Sequence, residues 1–317
     1  MQEERMNAER SQTGIAGLDD VLCGGLLANR LYLIDGDPGS GKTTLSMQYL
    51  IEGVKAGDRC VYVTLSETRD ELTAGAVSHG WSLEGIEIME LVADKFELGD
   101  ESQVTMFSPA EIELATTTRR VLDAVSRANP KRVVIDSLSE LRLLAQSSLL
   151  YRRQILALKN FFVGRNCTVL LLDDRTSEDS DLQLQSIAHG VISLEQHAPL
   201  YGAARRRLRV VKSRGTEYRG GYHDFSIVRG GLVVHPRLVA AEHNETFRAE
   251  SIKSGVAALD ALIGGGPERG TSTLLLGPAG AGKSTVAVRY AVAAAERGDH
   301  AAIFAFDESL ASLGKRT

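Results

Sequence analysis

Short apolar runs alternate with longer amphipathic stretches along the first part of the chain. LYLID at residues 31–35, CVYVTL at 60–65, RVVIDSL at 132–138 and TVLLLDD at 168–174 are nearly continuous apolar runs, which is typical of strands buried on both faces. Between them, segments such as TTLSMQYLIEGVKAG and LYRRQILALKNFFVGRN carry apolar residues at helical spacing. Strands that alternate with helices predict an α/β fold with a mostly parallel sheet covered by helices on both faces.

After Val191 the apolar runs become shorter and more closely spaced. VISLE, RRRLRVVKSRG, FSIVRG and GLVVHP follow one another, and Gly230 and Gly231 provide a predicted hairpin turn. We therefore expect an antiparallel extension of the parallel sheet. The polar segment HNETFRAE, at about residues 243–250, predicts a linker between domains.

The chain repeats itself at an offset of 241 residues (254 − 13). TGIAGLDDVLCGG, which begins at Thr13, returns as SGVAALDALIGGG at Ser254. A unit of about 240 residues is a whole domain and not a solenoid element. We predict a tail at residues 1–12, a first domain at 13–245 and the beginning of a second copy at 246–317. The same offset relates Gly36 to Gly277, Lys42 to Lys283 and Glu67 to Glu308.

The strongest local motif is GDPGSGKT at residues 36–43, which fits the phosphate-loop pattern GxxxxGK[ST] between a predicted strand and a predicted helix. Its glycines let backbone N–H groups point at phosphate oxygens, at the positive end of the helix. Lys42 is predicted to reach the β- and γ-phosphates and Thr43 to bind Mg²⁺. An ordinary glycine turn is the alternative, and the second occurrence, GPAGAGKS at 277–284, argues against it.

These loops predict binding of ATP with Mg²⁺. Ser284 is the metal-binding hydroxyl expected in the second loop, by analogy with Thr43. The predicted nucleotide contacts of the two loops are Gly36, Asp37, Pro38, Gly39, Ser40, Gly41, Lys42, Thr43 and Thr44, and Gly280, Ala281, Gly282, Lys283, Ser284 and Thr285.

Acidic residues at strand ends are candidates for the chemistry around the phosphates. Asp136 ends a buried run, where the carboxyl ends of parallel strands gather around a ligand and a carboxylate can hold Mg²⁺. Asp173 and Asp174 have a similar context, and a carboxylate that caps the next turn is the structural alternative for either position. Glu67 could orient or deprotonate the attacking water, or merely stand at the beginning of a helix. Its recurrence as Glu308 favours the catalytic role.

Composition and charge limit the kinds of partner that the protein is expected to bind. The 36 basic and 41 acidic residues give a net charge of −5, which provides no global attraction to nucleic acid. We expect a cytoplasmic protein with no membrane partner, because the N-terminus lacks a secretion signal and no apolar stretch reaches the roughly 18 residues of a membrane span. The basic run around Lys212 and Arg214 fits a solvated strand, a phosphate-sensing pair given to a neighbouring subunit, or a nucleic-acid track.

Together these motifs resemble the KaiC branch of the RecA/DnaB superfamily of P-loop ATPases. The resemblance spans nearly the whole chain. TGIAGLDDVLCGGL is similar to the family's opening motif, GDPGSGKT to its phosphate loop, VTLSET to its catalytic-glutamate strand, SHGW to the following helix end, VVIDSL to its magnesium strand and VVKSRGT to its intersubunit motif. The resemblance implies a RecA-like fold, a hexameric ring with ATP between subunits, and a regulatory or signalling role with protein regulators as partners.

The resemblance also assigns residues. Lys212 and Arg214 would reach the nucleotide of the adjacent subunit and act in catalysis with Lys42, Glu67 and Asp136. The resemblance also implies contacts with the nucleotide for Ser78, Ser213, Thr216, Tyr218 and, in the second copy, Glu308. The chain departs from the family pattern at Ser66, where close relatives of the clock protein carry a second glutamate, and at Tyr218 and Val228–Arg229, where base contacts are expected to differ.

Only a few residues follow Glu308 in this sequence. The second copy therefore has no magnesium strand, no intersubunit motif and no adjacent Ser-Thr pair for phosphorylation, and we expect a truncated copy that does not autophosphorylate. A serine/threonine autokinase activity would fit only a longer parent protein. Two alternatives to the ring ATPase are a DNA-dependent ATPase of the RecA/RadA type and a nucleotide-binding scaffold with negligible turnover.

Overall fold

The chain forms two compact units, Met1–Leu238 and Val239–Thr317. The computed structural model describes residues 9–91, 109–145, 147–175, 184–239, 250–306 and 309–314. Residues 240–249, which contain most of the predicted linker, lie outside the described residues, and so does Glu308.

The first unit is built on a nine-stranded sheet with the order β11-β10-β9-β8-β3-β7-β6-β4-β5. All pairings from β8 through β3 to β5 are parallel, whereas β8–β9, β9–β10 and β10–β11 are antiparallel. A separate two-stranded antiparallel ribbon pairs β1 with β2. The strands are β1 Arg10–Ser11, β2 Leu26–Leu27, β3 Leu31–Gly36, β4 Cys60–Thr64, β5 Ile86–Glu90, β6 Arg132–Asp136, β7 Thr168–Asp174, β8 Gly190–His197, β9 Arg205–Ser213, β10 His223–Val228 and β11 Gly231–His235.

Helices cover both faces of this sheet. Successive strand residues point to opposite faces, so that in β3 Tyr32 and Ile34 enter one apolar core while Leu31 and Leu33 enter the other. The first core is closed by α1 and α2, the second by α4, α5 and α6. The helices of this unit are α1 Ala16–Val21, α2 Lys42–Lys55, α3 Arg69–Ser78, α4 Pro109–Ala128, α5 Leu138–Ala145 and α6 Ser148–Phe162.

These features confirm the predicted RecA-like α/β fold with its antiparallel extension. Strand β5 was not predicted: the predicted strands were mostly nearly continuous apolar runs, whereas IEIME alternates apolar and charged residues, as in a half-buried strand at the edge of a sheet, and only Ile86 and Ile88 are buried. At the N-terminus, Arg10 and Ser11 pair with β2, so paired structure begins within the segment predicted as a tail.

The second unit repeats the opening of the first. Thr13 donates through Oγ1 to Asp19 Oδ1 over 2.8 Å, and Ser254 donates in the same way to Asp260 Oδ1 over 2.7 Å. Leu274 and Leu276 are exposed, and their segment, the counterpart of β3, is not a strand. In the first unit both neighbours of β3 come from later in the chain, and their counterparts would lie beyond residue 317. The helices of the second unit are α7 Ala257–Leu262, α8 Lys283–Glu296 and α9 Leu310–Gly314.

Gly17 of the opening motif is required because the backbones of α1 and β11 lie very close together. A Cβ at Gly17 in α1 would lie 2.0 Å from Val234 O in β11. We predict that Gly17→Ala lowers the free energy of unfolding by about 1–3 kcal/mol, because one of the two elements must move.

Gly75→Ala in α3 is the matched control, since a Cβ there meets nothing within 4 Å. This helical substitution should raise stability by about 0.5–1 kcal/mol, because alanine loses less backbone entropy on folding. Urea unfolding of both variants checks the pair, and equal effects would contradict the packing argument.

Candidate functional site

The first phosphate loop leaves β3 at the edge where the parallel strands end, which we call the carboxyl edge. Gly36 passes close to β8, since a Cβ there would lie 2.4 Å from Leu194 O. Gly41 precedes α2 with φ of +108°, a conformation that favours glycine. Lys42 Nζ folds back over the loop and donates to Gly36 O and Asp37 O, each over 2.9 Å. The loop therefore wraps around Lys42 at the N-terminus of α2, a position that suits binding of a phosphate.

The two predicted magnesium ligands lie side by side. Thr43 Oγ1 donates to Asp136 Oδ2 over 3.0 Å, and Tyr62 OH donates to the same oxygen over 2.5 Å. Burial raises the pKa of Asp136, although the hydrogen bonds from Tyr62 and Thr43 and the charge of Lys42 oppose this shift. Burial also raises the pKa of Tyr62 well above its ordinary value, so Tyr62 remains a donor. Tyr62 was missed in the sequence because it has the apolar context of a core residue.

A hydroxyl and a carboxylate oxygen are ligands that suit Mg²⁺, which commonly keeps several waters and phosphate oxygens as its remaining ligands. Among the described residues there is no group of three or more His, Cys, Asp or Glu side chains that would form an all-protein metal site. The residues present therefore fit a magnesium ion that arrives with a nucleotide.

The rival carboxylates Asp173 and Asp174 make other contacts at this edge. Asp174 Oδ1 lies 2.7 Å from Lys42 Nζ, so this carboxylate holds the loop lysine. Asp173 pairs with Arg142 of α5, and Ser139 Oγ lies 3.3 Å from an oxygen of each carboxylate. Only Asp136 contacts the predicted metal-binding hydroxyl in the described structure, and this supports the preference for Asp136.

Glu67 lies between β4 and α3 and does not begin the helix. Thr68 is the N-cap and forms a capping box with Glu71, while the backbone N–H of Glu67 is held by Thr64 Oγ1 over 3.0 Å. The Glu67 side chain is half-buried. Burial, and then the negative charges of Asp136 and Glu71, raise its pKa, a shift that favours a proton acceptor working nearer neutral pH.

Lys212 and Arg214 lie at the opposite edge of the sheet, where the parallel strands begin, which we call the amino edge. Ser213 pairs with Gly190, and Gly190 pairs with Tyr32, four residues before Gly36 in β3. At about 3.3 Å per residue, this places the pair about 13 Å from the loop along the strand direction. Their side chains donate to backbone carbonyls of residues 185 and 186. The fold therefore does not bring them to the chain's own phosphate loop.

The arginines at the other end of β9 have partners within the chain. Arg205 pairs with Asp224 over 2.7 Å and Arg207 with Glu195 over 2.9 Å, while Arg207 and Arg209 stack on Tyr222. These contacts leave little of the predicted nucleic-acid track. These contacts of Arg205, Arg207 and Arg209 weaken the argument for the DNA-dependent alternative.

Three further residues that were predicted to contact the nucleotide make contacts within the first unit. Ser78 Oγ donates to Gly75 O within α3, Thr216 Oγ1 lies 2.6 Å from Ser213 Oγ, and Tyr218 packs partly buried against the first core. Their roles toward a nucleotide stay predictions.

The second phosphate loop has the same internal geometry as the first. Lys283 Nζ donates to Gly277 O and Pro278 O, each over 2.8 Å, and Gly282 precedes α8 with φ of +84°. The counterpart of Asp136 would lie beyond residue 317, and Glu308 lies outside the described residues. The second loop therefore repeats the phosphate cradle, whereas the contacts of Ser284 with a carboxylate stay untested.

A family model described as "ATPase: KaiC" matches residues 11–239 and 252–317, most of both units. The chain belongs to the KaiC ATPase family. This membership makes it a P-loop ATPase at the family level and a member of a nucleotide-binding family. Among the residues that the structure describes, none of the helices combines the length and hydrophobicity needed to cross a bilayer.

The chain is similar to curated KaiC proteins of cyanobacteria. It is 28% identical over 322 residues to the circadian clock oscillator protein KaiC of Acaryochloris marina, covering 99% of this chain and 60% of that protein. It is 30% identical over 304 residues to the circadian clock protein KaiC2 of Synechocystis, covering 94% of this chain and 52% of that protein. The chain thus spans 52–60% of the length of these two relatives.

The hydrogen bond from Tyr62 to Asp136 should contribute measurably to the free energy of unfolding. We predict that Tyr62→Phe lowers the free energy of unfolding by about 1.5–3 kcal/mol, because a buried carboxylate oxygen loses a donor. Urea unfolding in the absence of nucleotide is the measurement. Tyr201→Phe, at a tyrosine that is 90% exposed, is the control and should change stability by less than about 0.5 kcal/mol. An unchanged Tyr62→Phe protein would show that this bond contributes nothing net.

Proposed function

We propose that this protein hydrolyses ATP at interfaces between copies of the chain arranged head to tail in a ring. The observation that carries the proposal is the separation of the two halves of the site. The phosphate loop, Asp136 and Glu67 lie at the carboxyl edge, whereas Lys212 and Arg214 lie at the amino edge. A head-to-tail contact brings unlike surfaces together, and such contacts form a ring when the rotation between neighbours closes. The resemblance to KaiC suggests six subunits.

Each residue has a role in this scheme. The loop amides and Lys42 bind the β- and γ-phosphates, with Lys42 exchanging its carbonyl and Asp174 partners for phosphate oxygens. Thr43 and Asp136 would hold Mg²⁺, which neutralises phosphate charge when bound. Glu67 orients water for attack on the γ-phosphorus and accepts its proton as the bond to ADP breaks. The neighbour's Lys212 and Arg214 stabilise the charge that develops on the transferred group.

A regulatory role fits this arrangement better than transport along a polymer. Nucleotide state at an interface changes the contacts that neighbouring subunits make, and protein regulators can recognise that difference. The relatives carry names that connect them with the circadian clock. For this chain we propose only the nucleotide-dependent regulatory role.

Mixing of inactive variants tests the shared site. We expect Glu67→Gln and Arg214→Ala each to reduce steady-state phosphate release at least about 100-fold, because each removes a group used in the transition state. Mixed in equal amounts, they should restore about one quarter of wild-type activity, since random neighbours in a ring leave that fraction of interfaces intact.

Glu67→Gln mixed with Asp136→Asn is the matched control, because both changes lie on the same side of the interface and cannot complement. Light scattering monitors assembly in every mixture. Mixed rings without restored activity would refute the shared site. ATP binding by the wild-type chain without turnover would instead support the scaffold alternative.

The pH dependence of hydrolysis tests the role of Glu67. A general base must be ionised, so the rate falls when the pH is lowered through the pKa of Glu67. Because this pKa is raised, the fall should begin at a higher pH than it would for an ordinary glutamate. Glu71→Gln removes one of the charges that raise this pKa, while glutamine preserves the capping box with Thr68. The acidic limb of the rate profile should therefore move to lower pH. Glu84→Gln, an exposed carboxylate in the α3–β5 loop, is the equal-charge control, and equal shifts in both variants would argue against a local effect.

A further inference from the structure

A cavity of about 160 Å³ opens at the amino edge of the sheet, away from the phosphate loop. It lies between the beginning of β3, the end of α6 and Arg214, the residue that follows β9. Phe162 and Ile187 contribute to its apolar wall, and Arg30, Lys159 and Arg214 contribute cationic side chains. A water molecule needs only about 10–15 Å³ of such volume, so the cavity has room for a small anion and several waters.

The described residues around this cavity carry unbalanced charges. None of its lining residues is acidic, and within the described part of the chain Arg30, Lys159 and Arg214 form no salt bridge. Lys212 stands beside them. Burial and the charges of Arg214 and Lys159 lower the pKa of Lys212, which shows that these cations repel one another. A cluster of like charges in a partly apolar site is relieved when an anion binds.

His189 also lines the cavity. Burial, followed by the charge of Arg30, lowers the pKa of His189, while a hydrogen bond to the backbone of Arg214 opposes this shift. The imidazole is therefore neutral near pH 7, its one N–H is engaged by that backbone, and it adds no negative charge to the cavity.

We propose that this cavity binds a free oxyanion of the size of inorganic phosphate, at a site separate from both phosphate loops. Arg30, Lys159 and Arg214 supply the charge, and the apolar wall strengthens these interactions by excluding water. The site is formed within one chain and does not depend on a neighbouring copy.

One consequence rests on the proposed function. Arg214 lines the cavity and is also the residue expected to reach the nucleotide of the adjacent copy. A phosphate in the cavity and a nucleotide at the interface would then compete for the same guanidinium. Phosphate that is released by hydrolysis and binds in the cavity would hold Arg214 there, away from the nucleotide of the adjacent copy. It would therefore slow further turnover.

Equilibrium dialysis of the nucleotide-free protein against radiolabelled inorganic phosphate tests the site directly. Lys42→Ala removes the principal cation of the first phosphate loop, and Lys283→Ala added to it does the same for the second. We expect one phosphate site to persist in this double variant. Adding Lys159→Gln should weaken that site at least about tenfold, because a charge-assisted hydrogen bond is lost.

Arg165→Gln is the matched control, since Arg165 follows α6, stacks on Phe161 and does not line the cavity. It should leave phosphate binding unchanged. Arg30→Gln, which removes another of the lining cations, provides a second variant if Lys159→Gln unfolds, with thermal melting as the check. The proposal is overturned if binding disappears with the two loop lysines, or if Arg165→Gln weakens it as much as Lys159→Gln. Because no nucleotide is present, this result stands apart from the mixing experiment.

Discussion

The position of β3 in the middle of the sheet is the constraint on which the rest of the structure depends. β3 is hydrogen-bonded to β7 on one side and β8 on the other, and all six of its residues are buried. A strand with two neighbours and two covered faces has little freedom, so the loop that leaves it begins from a fixed point. Gly36 is required there because β8 approaches too closely for a side chain.

The groups around the loop follow from that position. β7 ends with Asp174, which holds Lys42, and β6, the next strand, ends with Asp136, which meets Thr43. β4 lies beyond β6 and supplies Tyr62 and, after its last residue, Glu67. Parallel order thus gathers side chains from distant parts of the chain at one edge. The loop lysine already has a carboxylate and two carbonyls as partners, so a nucleotide would exchange contacts and not create all of them.

The two edges of the sheet differ in charge, and this difference underlies both proposals. Asp136 and Asp174 lie with Lys42 at the carboxyl edge, where each carboxylate has a partner, whereas Arg30, Lys159, Lys212 and Arg214 lie near one another at the amino edge. The antiparallel strand β9 contributes to this asymmetry, because its first arginines form salt bridges and it ends beside cations that form no salt bridge among the described residues. Unlike edges suit a head-to-tail contact between copies, and they also leave a cationic cavity within each copy.

Local pattern was sufficient to predict the strands β3, β4 and β6 to β11, the helix after the phosphate loop and the repeat, because apolar periodicity and glycine placement act over a few residues. Lys283 and its loop adopt the geometry of the first copy, as the matching sequence of the two loops predicts. The resemblance favoured Asp136 over Asp173 and Asp174, but sequence did not reveal Tyr62 as a partner of Asp136, Asp174 as a partner of Lys42, or the cavity beside Arg214. Those features depend on strand order and register, which bring together residues far apart in the chain, and only the tertiary structure decides them.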